Sequence, residues 1–139
     1  MSVQSVGFRG ATPSQVLSIG DGNKPGNGST QEVYSSTISS GRWLINYAGY
    51  AQFPNASAQS VAFNLYFKIG SAVQVAAEFA YTNDDNIPLN AFIPVSLMII
   101  AEVPDGNPAN YIVQITETAQ TTGNVNYFLS NQTLSFTQI

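Results

Sequence analysis

Apolar and polar residues alternate along most of this chain with a period of two. Val61, Phe63, Leu65, Phe67 and Ile69 fall on one side of an extended segment, with Ala62, Asn64, Tyr66 and Lys68 on the other. Successive side chains of a β-strand point to opposite faces, so this is the pattern of a strand with one face in a core. The preceding segment repeats it. Trp43, Ile45, Tyr47, Ala51 and Phe53 share one side, and Gly49 interrupts that row where a bulge or a close backbone approach is expected. Val73, Val75, Ala77, Phe79 and Tyr81 form a third inward row, with Gln74 and Glu78 outward. Tyr111, Val113, Ile115 and Glu117 alternate with Ile112, Gln114 and Thr116. Tyr127 and Leu129 mark a short strand, and residues 132–139 the last one.

Residues 87–103 are more apolar throughout than the other segments and carry Pro88 and Pro94. A central strand does not accommodate proline, so this stretch predicts a short strand, a bend near Pro94, and a strand over 95–103 buried on both sides. Pro104-Asp105-Gly106-Asn107-Pro108 and Thr121-Thr122-Gly123-Asn124 read as turns. Residues 1–39 are looser: short strands at 2–9 and 15–19, a flexible glycine-rich loop at 20–28, and a Ser/Thr-rich strand at 31–39. No segment shows the i, i+3, i+4 stripe of an amphipathic helix. Eight to ten strands with no internal repeat and no boundary predict one all-β domain over 1–139, an antiparallel sandwich or barrel.

Composition narrows the chemistry. The 139 residues include four basic and eight acidic side chains, no histidine and no cysteine, for a net charge of −4. Arg9, Lys24, Arg42 and Lys68 are scattered, which argues against neutralising a nucleic-acid backbone. The longest uncharged apolar run is strand-sized, which argues against a membrane span. General acid–base catalysis needs a group that titrates near working pH, and the usual residues for it are missing. The adjacent acids Asp84 and Asp85, flanked by Asn83 and Asn86, read as a solvated turn, with a divalent-ion site as the minor alternative. Asp21-Gly22-Asn23 and Asp105-Gly106-Asn107 read as turns rather than calcium loops, because the remaining acidic ligands are missing. The 20–28 loop lacks the Gly-Lys-Ser/Thr ending and the helix of a phosphate loop. No catalytic, cofactor-binding or metal-binding residue is therefore assigned. Tyr34, Tyr50 and Tyr66 fall off the inward register and are candidate interface residues, since an exposed tyrosine can anchor a protein partner or stack on a sugar.

Residues 40–139 resemble the TNF/C1q-like jelly rolls, including those of bacteriophage particle proteins. Ser40-Gly41-Arg42-Trp43-Leu44-Ile45-Asn46-Tyr47 is similar to that family's opening strand, with Trp43 where an aromatic is usual. Residues 59–70 resemble its next strand. Val103-Pro104-Asp105-Gly106 before Tyr111-Ile112-Val113-Gln114-Ile115 resembles its penultimate one, and Leu134-Ser135-Phe136-Thr137-Gln138-Ile139 its terminal strand. The resemblance implies a jelly-roll β-sandwich that forms a threefold homotrimer with the terminal strand near the axis, which adds Phe136 and Ile139 to the candidate interface. It implies no catalytic site.

Together these features predict a non-catalytic structural protein of a virus particle, a phage capsid decoration (cement) or head-fibre protein. Its expected partners are copies of itself and the major capsid protein or other virion subunits, and not nucleic acid or membrane. Strand faces rich in Asn, Gln, Ser and Thr suit such contacts, because they offer hydrogen bonds without burying unpaired charge. The absence of a signal-like N-terminus predicts assembly in the host cytoplasm and residence on the virion surface. The alternative is a receptor- or carbohydrate-binding tip module of a fibre, holding a host glycan through loop Tyr and Asn residues. The lack of a stalk-like repeat before residue 40 counts against it.

Overall fold

A computed structural model describes residues 14–53, 58–82, 92–106 and 110–139. Among the described residues, nine strands form two sheets. They are β1 (Ser14–Ile19), β2 (Gly22–Lys24), β3 (Asn27–Thr37), β4 (Gly41–Gln52), β5 (Ala58–Ile69), β6 (Ala72–Thr82), β7 (Phe92–Val103), β8 (Tyr111–Thr121) and β9 (Tyr127–Gln138). The first sheet runs β1-β9-β4-β7, with β2 also paired to β9; the second runs β3-β8-β5-β6. All pairings are antiparallel. The chain crosses between sheets repeatedly, and sequence-distant strands such as β4 and β9 become neighbours. This is the jelly-roll arrangement of a two-layer sandwich.

The core follows the predicted period. Trp43, Ile45 and Tyr47 of the first sheet face Phe63, Leu65 and Ile115 of the second, and all six are buried. Tyr47 stacks on Phe63 across the layers with ring centroids 6.2 Å apart, and Phe53 stacks on Tyr127 at 5.0 Å. Each such side chain contributes about 1.5–3 kcal/mol by leaving water. The Trp43 indole N–H donates to the Ser39 carbonyl at 3.0 Å, so this large ring enters the core with its polar atom satisfied.

Four expectations are corrected. First, β7 is one continuous strand through Pro94 with no bend, and it alternates strictly between buried and exposed positions instead of being buried on both sides. The reason lies in its position: among the described residues β7 pairs with β4 alone, at the sheet edge. The Ile139 N–H donates to the Arg42 carbonyl at 2.8 Å, so even-numbered backbone groups of β4 turn toward β9 and odd-numbered ones toward β7. Pro94 lies opposite the even-numbered Tyr50, so its nitrogen faces the open edge, where no donor is needed.

Second, the 20–28 segment is docked. β2 lies within it, so Asp21-Gly22-Asn23 leads into a strand instead of a turn. Asp21 Oδ1 accepts the Asn131 N–H, Gly20 O accepts from Gln132 Nε2, and Gly26 O accepts the Thr121 N–H. A Cβ at Gly26 would overlap the Val125 carbonyl, so only glycine fits there. Third, Val73 and Val75 are exposed, at 50% and 37%: the register shifts between Phe67 and Lys68, where β6 carries the extra residue Gln74 and turns Val73 opposite Lys68, and Val75 lies on a strand at the sheet edge. Fourth, 127–129 and 132–139 are one strand, kinked where Asn131 takes a positive φ of 51°.

The 104–106 turn is present, with Gly106 at φ 67°, and residues 122–124 form a single 3-10 turn. The expected strand at 2–9, the Asp84 and Asp85 pair with Asn83 and Asn86, Pro88, Asn107 and Pro108 lie outside the described residues.

Candidate assembly surface and a buried carboxylate

Strand register sorts the outward side chains into rows. On the first sheet, one row runs Val16, Ser135, Asn46 and Met98 across β1, β9, β4 and β7. The next places Leu44 beside Ile100, and beyond the centre Tyr50 lies opposite Pro94 and Gln52 opposite Phe92. Phe92 is 60% exposed and Met98 59%, and Tyr50 meets the Phe92 ring edge-on at 6.3 Å. On the outer rows of β1, β4, β7 and β9 the only charged side chains are Arg42 and Glu102, which face each other at one end.

The outer face of the second sheet has a different chemistry. It carries Glu32, Asn64, Lys68 and Glu78, and its side chains bond to one another. Lys68 Nζ donates to Gln114 Oε1 at 3.0 Å, and Gln114 Nε2 donates to Glu32 Oε1 at 2.9 Å. The Thr30 and Thr118 hydroxyls share a hydrogen bond of 2.9 Å. That face is a solvated, internally hydrogen-bonded surface.

Between the sheets sits Glu117. It is 0% exposed, and neither carboxylate oxygen has a hydrogen-bond partner. Loss of hydration pushes its pKa up to about 7, with the positive charge of Lys24 acting in the opposite direction. Burial, reinforced by the charge of Glu117, holds the Tyr47 phenol protonated well above its usual range. Its hydroxyl donates to Gln132 Oε1 at 2.6 Å. The Tyr127 hydroxyl is buried without a partner. This gives one buried carboxyl held above the usual carboxylate range, near the Tyr47 phenol, which stays protonated. Among the described residues no cavity opens beside it and no metal-binding cluster of His, Cys, Asp or Glu occurs. No helix among them is long and apolar enough to cross a membrane.

The candidate interface residues do not gather in one place. Tyr50 is exposed on the outer face of the first sheet, and Tyr66 is half-buried on the outer face of the second. Tyr34 is half-buried against the core, because a bulge between Glu32 and Tyr34 on β3 reverses the register there. Ile139 is exposed at the end of the chain. Phe136 is corrected: at 1% exposure it packs in the core of its own chain and cannot meet a neighbour. Sequence reasoning missed Phe92, Met98 and Ile100, because their stretch read as buried on both faces. It also passed over Glu117, although an acid in an otherwise apolar inward row was the available signal.

No family model matches the chain, and no curated protein matches its sequence. Solved structures do. The VP2 subviral particle of infectious bursal disease virus superposes with a TM-score of 0.69 at 9% identity, over 93% of this chain and 33% of that one. The fold is a two-sheet jelly roll like the one in that chain. The T13 particle of the same virus gives 0.69 at 8% identity, over 91% and 31%, and its Gx strain 0.68 at 10%, over 92% and 33%. The chain thus spans about a third of the length of the VP2-type chains it matches. The jelly-roll expectation is met, and the likeness is to an icosahedral virus rather than specifically to bacteriophage proteins.

Proposed function

We propose that this chain is a non-catalytic structural protein of a virus particle. The observation that carries the reading is a jelly roll like that of a virus particle protein, whose nearly uncharged first sheet exposes Phe92, Met98, Ile100 and Tyr50 on its outer face. Large exposed aromatic and Met side chains are the residue types enriched at the centres of protein interfaces. The chain acts at the virion surface, as a decoration or head-fibre subunit on the major capsid protein, and assembles in the host cytoplasm. The family resemblance supports a threefold homotrimer, with Ile139 near its axis. Co-sedimentation of the purified chain with intact particles tests the role. Saturable binding, with density for the chain on the outer shell in images of the particle, is expected. A chain that stays in the supernatant at every concentration and is absent from purified virions would overturn the reading.

A further inference from the structure

We infer that the outer face of the β1-β9-β4-β7 sheet is a two-fold interface for a second copy of this chain. The inference deepens the assembly reading above and rests on it.

Size comes first. At strands about 4.8 Å apart rising about 3.4 Å per residue, β4, β7 and β9 with 12 residues each and β1 with six cover roughly 700 Å². A standard interface buries about 800 Å² on each partner, with a spread of about 200 Å². The face falls within that range only when all four strands take part.

Charge selects the partner. Arg42 and Glu102 are opposite in sign and adjacent, so the face has no net charge. It offers no counter-charge to a nucleic acid, an anionic membrane or a strongly charged protein. A copy of the same face meets it without repulsion.

Pattern supplies the symmetry. Along β4 and β7 the apolar pair Leu44 and Ile100 lies toward one end, Asn46 with Met98 and small Ala48 with Ser96 at the middle, and Tyr50 with Phe92 toward the other, so a half-turn about the centre sets Met98 over Ala48 and Ser96. A copy turned by half a revolution lays each apolar end on the other apolar end and leaves Arg42 and Glu102 at the rim. This is the self-complementarity that a two-fold contact requires. The second sheet's outer face lacks it, since its charges already hydrogen-bond within one copy.

The test is the mass of the chain by light scattering across a dilution series. Two chain masses are expected, or six where a threefold contact also forms. Met98→Asp combined with Ile100→Asp raises the dissociation constant of the two-fold contact at least about 100-fold, because each places a carboxylate in it. Asn64→Asp on the opposite face leaves the mass unchanged. Both variants change exposed positions, and an unaltered far-UV circular dichroism spectrum confirms folding. The native chain has no cysteine, so Met98→Cys supplies a unique thiol. Maleimide labels it slowly when concentrated and rapidly when dilute. A monomer at all concentrations, or a three-chain mass that the double substitution leaves intact, would overturn the two-fold contact. Particle binding that persists alongside either result keeps the proposed function standing without it.

Discussion

The outer faces of the two sheets are built from the same alternating strands and end in opposite surfaces. On the second sheet, Lys68, Gln114 and Glu32 form a hydrogen-bonded line across β5, β8 and β3. On the first, the outward positions of β9 carry Ser130, Thr133, Ser135 and Thr137, whereas β7 and its β4 neighbours carry Leu44, Tyr50, Phe92, Met98 and Ile100. Alternation within one strand establishes which side chains point outward. Whether that outward side meets water is decided by the row across strands, because only neighbouring side chains can satisfy or leave bare one another's polar groups. A two-layer sandwich must be apolar inside. This one also exposes large apolar side chains on one outside, along β7 and its β4 neighbours, and a patch of that kind is how a protein signals contact with another.

The strongest way to break the contrast is to remove the core beneath both faces. Leu65 is 0% exposed between the layers. Leu65→Asp is expected to cost more than about 4 kcal/mol by burying an unpaired carboxylate, enough to abolish cooperative unfolding in a urea titration. A folded Leu65→Asp chain would show the layers to be assigned inside out.

A smaller effect sharpens the comparison by testing how dry the space between the faces is. Glu117 binds its proton more tightly in the folded chain, at about 7, than at its ordinary value of 4.5. Its contribution is therefore complete below about pH 4.5, is lost as pH rises to about 7, and is flat beyond. The wild type is expected to lose about 2–3 kcal/mol across that window relative to Glu117→Leu, read from urea midpoints at a series of pH values. Parallel pH profiles for the two proteins would mean that water reaches the carboxyl. Lys24→Met removes the opposing positive charge and moves the window to higher pH.

The smallest effect isolates the wet face. Asn64→Asp is expected to shift stability by no more than about 0.5 kcal/mol, because its row already holds solvated charges. A loss of several kcal/mol in thermal unfolding would place that face in a contact as well.

How much of this was legible beforehand depended on the range of the governing interaction. The rows at 43–53, 61–69 and 111–117 are local in sequence, and their burial follows the alternation except at Ile69, exposed beside the Gly70 turn, and Thr116, which is buried. Pro94 misled because the rule against proline in strands is a rule about central strands, and edge position is a property of topology. The glycine-rich 20–28 segment read as mobile because the atoms that hold it, on Gln132, Asn131 and Thr121, lie about a hundred residues away in sequence. Phe136 was assigned to an interface by analogy with a terminal strand, whereas its alternation with Ser135 and Thr137 already pointed it inward. The apolar outer face could not be read from one strand, since it exists only once β4 and β7 are paired.

Pro94 carries one more consequence. Its ring removes a donor from the outermost strand's exposed rim, near the start of β7. A foreign strand adding there would find the ladder interrupted, so sheet-by-sheet growth into fibrils is checked at that rim. Should the proposed two-fold contact form, cohesion would run through a finite plane while the rim resists zippering, and a contact of that symmetry closes instead of growing.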